Sequence, residues 1–520
     1  MSVQDVTAPP HAAVQAGHRP LVAALCIFGA VSLLGILIRP TLPIDETRYL
    51  AVAWEMRLGH DWLVPHLNGH AYSDKPPMLF WLINLVWLFT GPSGFAARLV
   101  APVFGLVTIA LTARLGARLH PQRPEYGGWA ALILSGSLGF ALYGGLTMFD
   151  TMLSAATAAG VLALTHVERR GLRPWLVLGA ALAFGALAKG PVILIHLLPI
   201  AVAAAWWKGI GLRAMAQGLG AAICLALAIV GLWLVPALTV GSPEYREAIL
   251  WTQSAGRMVQ SFAHGRPVWF FLAVLPLLLW PWAWSPRIWR QARFTPPLVV
   301  WSVATLLIFS LISGKQAHYL IPVLPAFAIA FAPALAGSKR RAPIACLLPF
   351  GLALAMCALI VGLAPQEYIT AANPHPVALL VVALLAAAAA VALIDGVTVF
   401  LAAPLVVCAS ACIFLGEMGE SHDAAPLARR LAPHDTQGIG LIDGKYHGQF
   451  TFAGRLHHPV IVFGDAGSAL DWLQECAGRV LTAPLKNGPG QPADTIDFRG
   501  QPWGIWLPQT QSDRGQPCRN

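Results

Sequence analysis

The chain has 520 residues, of which 57% are hydrophobic and only 11% are Asp, Glu, Lys or Arg. Mean hydropathy is +0.64, so a soluble globular protein is excluded, and long uncharged runs that do not alternate exclude a transmembrane barrel. The net charge of +10 reads as Lys and Arg in cytoplasmic loops, not as a nucleic-acid surface.

Residues 1–19 are polar and read as a disordered cytoplasmic terminus. The run 20–39 is too long for a cleaved signal and lacks a small-residue cleavage site, so it reads as an uncleaved anchor. Further apolar runs cover roughly 78–90, 98–118, 127–147, 151–167, 174–188, 191–207, 214–240, 267–285, 297–313, 318–336, 343–363, 376–394 and 397–415. The expected fold is a polytopic α-helical membrane protein whose transmembrane body spans 20–415.

Which runs cross follows from charge. Cationic clusters stand at Arg114/Arg118/Arg123, Arg169/Arg170/Arg173, Lys208/Arg213, Arg287/Arg290/Arg293 and Lys339/Arg340/Arg341. Successive clusters are separated by two runs, as alternate loops on one side should be. With the amino terminus on that side too, one of the first runs must fail to span. The run 78–90 is too short for the roughly 20 residues a span needs. It follows Pro76-Pro77 and is rich in Trp and Phe, so it is expected to be interfacial or re-entrant. About thirteen spans remain at that length per crossing. The amino terminus is then cytoplasmic, residues 40–97 form the first outer loop, and the tail after 416 is periplasmic.

The tail, 416–520, changes character. Short β-type runs at Gly440–Asp443, Val460–Phe463 and Trp503–Trp506, with one helical pattern at 468–481, predict a small α/β domain. The eight cysteines have no metal-ligand spacing. Cys26, Cys224, Cys346, Cys357, Cys408 and Cys412 sit in or beside apolar runs as small core residues. Cys476 and Cys518 form either a disulfide or two free thiols.

The chemistry concentrates in the stretch Pro43–Trp81. Charge beside hydrocarbon is costly unless it is paired or wet, so ionisable residues crowded there have a use. The topology gathers Asp45, Glu46, Arg48, Asp74, Lys75, Asp150, Lys189, Arg257 and Tyr319 on one face, although they come from separate outer loops. His264, Arg266, Lys315 and His318 share that face, His318 reading as structural and His264 as an unlikely metal ligand. A carboxylate can take a proton from an acceptor hydroxyl. Arg and Lys can neutralise a departing phosphate. The set suits a reaction with an anionic, lipid-linked leaving group. Structural readings stand beside it: Asp45-Glu46 as the polar end of a span, Arg48 as a loop partner of Glu46 or Glu55, Asp74-Lys75 as a loop ion pair, Asp150 as a cap for a helix starting at Thr151, and Lys189 as a snorkelling helix end.

Three strings of the first loop carry a resemblance: Pro43-Ile44-Asp45-Glu46-Thr47-Arg48-Tyr49, Gly59-x-Asp61-Trp62-x-x-Pro65, and Tyr72-x-x-Lys75-Pro76-Pro77. With Phe149-Asp150-Thr151-Met152, Ala188-Lys189-Gly190 and Lys315-x-x-His318-Tyr319-x-x-Pro322-x-x-Pro325, they resemble the type C glycosyltransferases. The branch is that of protein O-mannosyltransferases and lipid A aminoarabinose transferases. The resemblance covers most of residues 20–340. It implies juxtamembrane helices in the first outer loop, a periplasmic tail and a polyprenyl-phosphate sugar as donor. The acceptor would be lipid A, another glycan or a protein. It implies Asp45 as the main catalytic carboxylate, with Asp150 as the second acidic position. Glu46 is included as a further catalytic candidate, and Arg48 and Asp74 join the donor-binding candidates. Lys75, Lys189 and Tyr319 would contact donor phosphate or sugar, with Arg257 at an outer-loop position near the phosphate. One departure stands out: the branch commonly has Glu before Lys-Pro, and this chain has Asp74. That leaves the sugar, and the need for a divalent metal, open. The alternative classes are a transporter or flippase for a lipid-linked saccharide and a non-catalytic assembly partner.

Overall fold

The computed structural model describes residues 10–168, 171–250, 265–336, 342–361, 376–396, 398–442 and 445–508. Helix α1 (Pro10–Ile38) is followed by α2 (Asp45–Gly59), a two-residue hairpin β1–β2 (His66–Leu67, His70–Ala71) and α3 (Met78–Thr90). Then come α4 (Gly94–Leu119), α5 (Tyr126–Ser135), α6 (Leu138–Gly144), α7 (Asp150–Thr165), α8 (Arg173–Lys189), α9 (Val192–Trp207) and α10 (Leu212–Val240). Further helices cover Phe270–Leu278, Pro296–Leu311, Leu324–Leu335, Leu347–Ile360, Pro376–Asp395 and Ala402–Cys412.

Each apolar run of the sequence thus contains helix, but the helices differ in length. Among the described residues, five helices are long and apolar enough to cross a membrane, or six if the α5–α6 pair counts as one span bent by 65°. The bend has a local cause. At Gly136 a Cβ would meet Phe400 O at 2.9 Å and Trp282 Cζ2 at 3.0 Å, so only glycine admits that approach. Ser137 Oγ donates to Ile133 O at 2.7 Å, and Trp282 Nε1 donates to the same carbonyl at 2.9 Å. The carbonyl released by the break is therefore satisfied by side chains, as buried backbone requires.

The short run behaves as its length demands. α3 has 13 residues and does not separate α1 from α4. Arg98, near the start of α4, donates from Nη1 to Ile36 O and Arg39 O at the end of α1, both at 3.1 Å. Had α3 crossed between them, these residues would stand at opposite rims. α3 instead packs on α2, where Asn84 Nδ2 donates to Ala53 O at 2.9 Å. Among the described residues, members of three cationic clusters stand near the other rim. Lys208 at the end of α9 donates to Thr165 O at the end of α7 at 2.9 Å and lies within electrostatic reach of Arg118. His120 stands within reach of Arg293.

The carboxyl-terminal segment forms a five-stranded sheet in the order β4-β3-β5-β7-β6, from β3 (Ile439–Leu441), β4 (Ile461–Val462), β5 (Val480–Pro484), β6 (Asp494–Phe498) and β7 (Gln501–Trp506). β3 pairs in parallel with β4 and β5, and β7 antiparallel with β5 and β6. The expected helix at 468–481 is shorter, ending at Gln474. Residues 480–484 are the central strand instead, buried at every position. A strand covered on both faces shows no alternation, which is why the apolar run was readable as helix. Gly478, at φ +96°, turns the chain between the two. Cys476 is disulfide-bonded; Cys518, its expected partner, lies outside the described residues. The cysteines at 26, 224, 346, 357, 408 and 412 are free thiols.

This segment docks on the first loop. Trp54 Nε1 donates to Leu456 O at 2.9 Å, and Asn68 exchanges two hydrogen bonds with the Val460 backbone at 2.8 and 2.7 Å. Phe452 stacks on Trp87 with centroids 5.1 Å apart and planes 4° from parallel.

Candidate active site

α7 and α8 are antiparallel neighbours, so the start of one and the end of the other share a rim. Asp150 opens α7 and Lys189 closes α8, where Gly190 at φ +76° and Pro191 stop the helix. Lys189 Nζ donates to Asp150 Oδ1 at 2.5 Å, with the two side chains 11% and 2% exposed. The 3-10 turn Ala317–Val323 brings up Tyr319, whose ring centroid is 5.1 Å from Lys189 Nζ. The expected cap role of Asp150 is not what the geometry shows: the N-cap position is Phe149, without a side-chain cap bond. The carboxylate is turned to the lysine, and its charge in the first turn still suits the helix dipole.

α2 supplies the other half. Asp45 begins it, with its side chain 53% exposed. Tyr49 Oη donates to Asp45 Oδ1 at 3.4 Å, and Arg48 Nη1 is 3.9 Å from the same oxygen. The Tyr49 ring meets Phe149 edge-on at 4.9 Å, which joins α2 to the residue before Asp150. Burial, together with Asp45, pushes the Tyr49 hydroxyl well above the usual phenol range, so it stays a donor. Tyr72 stands within electrostatic reach of Asp74, Arg48 and Asp45. Lys75 Nζ donates to Asp74 O at 3.3 Å.

One side chain reports on the whole assembly. His318 lies within electrostatic reach of Asp150, Lys189, Asp45 and Lys75, and its ring sits 5.0 Å from Tyr319 and 5.8 Å from Tyr143. Residues from α2, the loop before α3, α7, α8 and the turn before Leu324 therefore converge at one end of the bundle. His318 reads from sequence as structural, and its ring packs against Tyr319 and Tyr143 within reach of these charges. His447 was not legible at all. It comes from the carboxyl-terminal segment, and its Nδ1 is 3.2 Å from Arg48 Nη2.

Other candidates lie elsewhere or are spoken for. Glu46 is 3% exposed and bound to Arg39, Leu42 N and Thr147 N. Burial alone would raise its carboxyl, but Arg39, Arg98 and the Thr147 amide outweigh it and hold the group at about 2. A carboxylate so engaged has no lone pair to offer an acceptor. The expected partnership of Arg48 with Glu46 or Glu55 is not formed either. Arg48 faces Asp45 and His447, while Glu55 accepts from the Asn68 and Gly69 amides at 2.7 and 2.9 Å. Lys315 is 3% exposed and donates to Arg266 O at 3.1 Å. Arg257 and His264 lie outside the described residues. Among the described residues no group of three His, Cys, Asp or Glu side chains is arranged to hold a metal ion.

With this geometry in hand, comparison with known proteins is direct. The fold aligns with the crystal structure of ArnT from Cupriavidus metallidurans bound to undecaprenyl phosphate. The TM-score is 0.72 over 93% of this chain and 97% of that one, at 20% identity. The apo state of the same protein aligns with a TM-score of 0.69 at 18% identity. The chain therefore shares the fold of that protein. Residues 74–233 match the family described as dolichyl-phosphate-mannose-protein mannosyltransferase. The undecaprenyl phosphate-alpha-4-amino-4-deoxy-L-arabinose arabinosyl transferase 1 of Sodalis glossinidius is 33% identical over 315 residues, 55% of this chain and 54% of that one. The corresponding Pseudomonas aeruginosa protein is 30% identical over 316 residues, 57% of this chain and 56% of its own. The match spans about half the length of these curated relatives. Over that part the chain is similar to these transferases.

Proposed function

We propose that this chain is a membrane glycosyltransferase that moves a sugar from a polyprenyl phosphate, of the undecaprenyl type, to lipid A or another envelope glycan or protein. The observation that carries the reading is the convergence of Lys189, Asp150 and Tyr319 beside Asp45, in a chain related in sequence to transferases of an undecaprenyl-linked aminosugar. The transporter and flippase alternative draws no support from those relatives.

The chemistry follows from the groups present. The acceptor hydroxyl attacks the anomeric carbon, and the bond from that carbon to the phosphate oxygen breaks. The electron pair leaves with the polyprenyl phosphate. Lys75, Lys189 and Arg48 neutralise the charge that develops there, each donor worth more in a site closed to water than in solution. Asp45, the more exposed carboxylate, takes the acceptor proton. Asp150 fixes Lys189 rather than acting on the acceptor. A single displacement inverts the anomeric centre. Arg257 belongs to the same proposal as a phosphate contact, and no step requires a metal. The rim bearing Asp45 and Lys189 faces the periplasm, with about thirteen crossings at roughly 20 residues each, a cytoplasmic amino terminus and residues 416–520 as a periplasmic domain.

The test is Asp45→Asn in purified protein with a labelled polyprenyl-phosphate sugar and lipid A. Loss of transfer by about a thousandfold, with folding and lipid-phosphate binding kept, is expected of a missing general base and its associated orientation. Retained transfer removes Asp45 from the role. Mass spectrometry of lipid A and polyprenyl-phosphate pools in a deletion strain identifies sugar and acceptor.

A further inference from the structure

Asp45 and Glu46 are adjacent but do opposite things. The Asp45 side chain is 53% exposed and that of Glu46 is 4% exposed. Glu46 Oε1 accepts from Thr147 N at 2.9 Å and Arg39 Nη2 at 3.0 Å, and Oε2 accepts from Leu42 N at 3.1 Å and from Arg39 Nη1. Arg39 Nη2 also donates to Gly145 O at 3.0 Å. Arg98 Nε stands 3.9 Å from Glu46 Oε1, and Arg98 Nη1 fastens the end of α1. The segment gripped in this way, Gly145–Thr147, is the connection between α6 and α7, and Asp150 follows Thr147 by three residues.

We infer that Glu46 is a positioning residue: with Arg39 it clamps the 145–147 connection, and so fixes Asp150, and through it Lys189, relative to Asp45. The inference rests on the transferase reading above and deepens it. One carboxylate ties the strand of chain before α2 to the strand of chain before α7. Both acidic side chains that face the site are then set by the same buried ion group, one by sequence adjacency and one by the amide at 147. Burial makes this grip strong, because an ionised acceptor in a site closed to water loses little to solvent competition. It is also specific in length. Aspartate keeps the charge but is one methylene shorter, so it cannot reach Thr147 N and Leu42 N together.

The experiment uses the full-length protein in nanodiscs. Glu46→Asp is compared with wild type by hydrogen exchange and by steady-state transfer kinetics, with Ile133→Val as a remote control for small losses of stability. In Glu46→Asp the amides of 145–149 should exchange at least about tenfold faster, while those of the 439–506 sheet stay unchanged. kcat should fall about tenfold or more, with the donor KM within about twofold, because misplacement of a reacting group is felt in the transition state. Glu46→Gln, which keeps the length and loses the charge, should lie between the two. Unchanged exchange at 145–149 overturns the clamp. Faster exchange with unaltered kcat overturns its positioning role, and so does a kcat loss no greater than that of Ile133→Val. If wild-type protein transfers no sugar from a polyprenyl-phosphate donor, the transferase reading falls, and the exchange measurement alone decides the clamp.

Discussion

Lys189 and Asp150, 39 positions apart in the chain, meet at 2.5 Å, with the lysine ammonium 5.1 Å from the centre of the Tyr319 ring. The contact ties the end of α8 to the start of α7 and the turn before Leu324 to both. It is largely shielded from solvent, which makes its two halves unequal to lose and its removal as a pair informative.

Replacing one partner of a shielded ion pair leaves a charge without compensation, at about 3–5 kcal/mol. Lys189→Met and Asp150→Asn should each lower the melting temperature in detergent and abolish transfer. The double variant should recover most of the stability and none of the activity. Differential scanning fluorimetry beside a transfer assay separates the two. Additive stability losses would refute the coupling.

Tyr319 offers its ring face to Lys189. A cation over an aromatic face contributes about 0.5–2 kcal/mol, depending on desolvation. Tyr319→Phe keeps the face and should retain kcat/KM within about threefold, whereas Tyr319→Ala should lose about tenfold or more. Equal losses in both variants would assign the effect to the hydroxyl.

Asn68 joins the first loop to the carboxyl-terminal segment through both its amide groups. Asn68→Ala leaves the Val460 N–H and C=O without partners, at about 1–3 kcal/mol for each buried group that stays unsatisfied. Limited proteolysis should then cut the connection before β3 sooner, while the transmembrane helices remain resistant. Unaltered cleavage would show that the Trp54–Leu456 and Trp87–Phe452 contacts hold the segment alone.

His447 makes that docking sensitive to acid. Burial, with Arg48, Lys445 and Arg499 nearby, lowers its pKa below the usual 6.5. The folded state therefore disfavours the proton that the unfolded state accepts. Its contribution is complete above pH 6.5 and declines as pH falls through 6.5 towards the lowered value, because there the unfolded chain binds more protons. Once protonated, the ring cannot accept from Arg48 and repels it. Hydrogen exchange in the 445–450 segment should rise between pH 7 and pH 5, and His447→Gln should flatten that profile. A profile unaltered by the substitution would place the titration elsewhere.

How the site is built shows what local sequence can carry. That Asp150, Lys189 and Tyr319 stand together was legible because parity of the runs sends alternate loops to one rim; that they and Asp45 and Lys75 act in transfer is a proposal, argued from the cost of charge beside apolar runs. That α3 stays on this rim was likewise readable from its 13 residues. Glu46, the neighbour of Asp45, stands out by the same sign but is bound by Arg39, Leu42 N and Thr147 N. Sequence marks Glu46 as ionisable but gives no direction, and on a helix the next residue points about 100° away. His447 had no local mark at all, since its partner Arg48 is 399 positions distant.

Hydrophobic length, charge spacing and short strings thus determined by themselves that the chain is helical and membrane-bound, and that Asp150, Lys189 and Tyr319 share one rim. Only the tertiary structure decided that Glu46 is locked in a buried ion group while its neighbour Asp45 is half exposed. It also decided that a tail residue reaches α2 and that residues 480–484 are a central strand. The division has one physical cause. Burial cost and helix length act within a few turns of chain and can be read along it, whereas the partner that satisfies a buried charge is chosen by packing between segments distant in sequence.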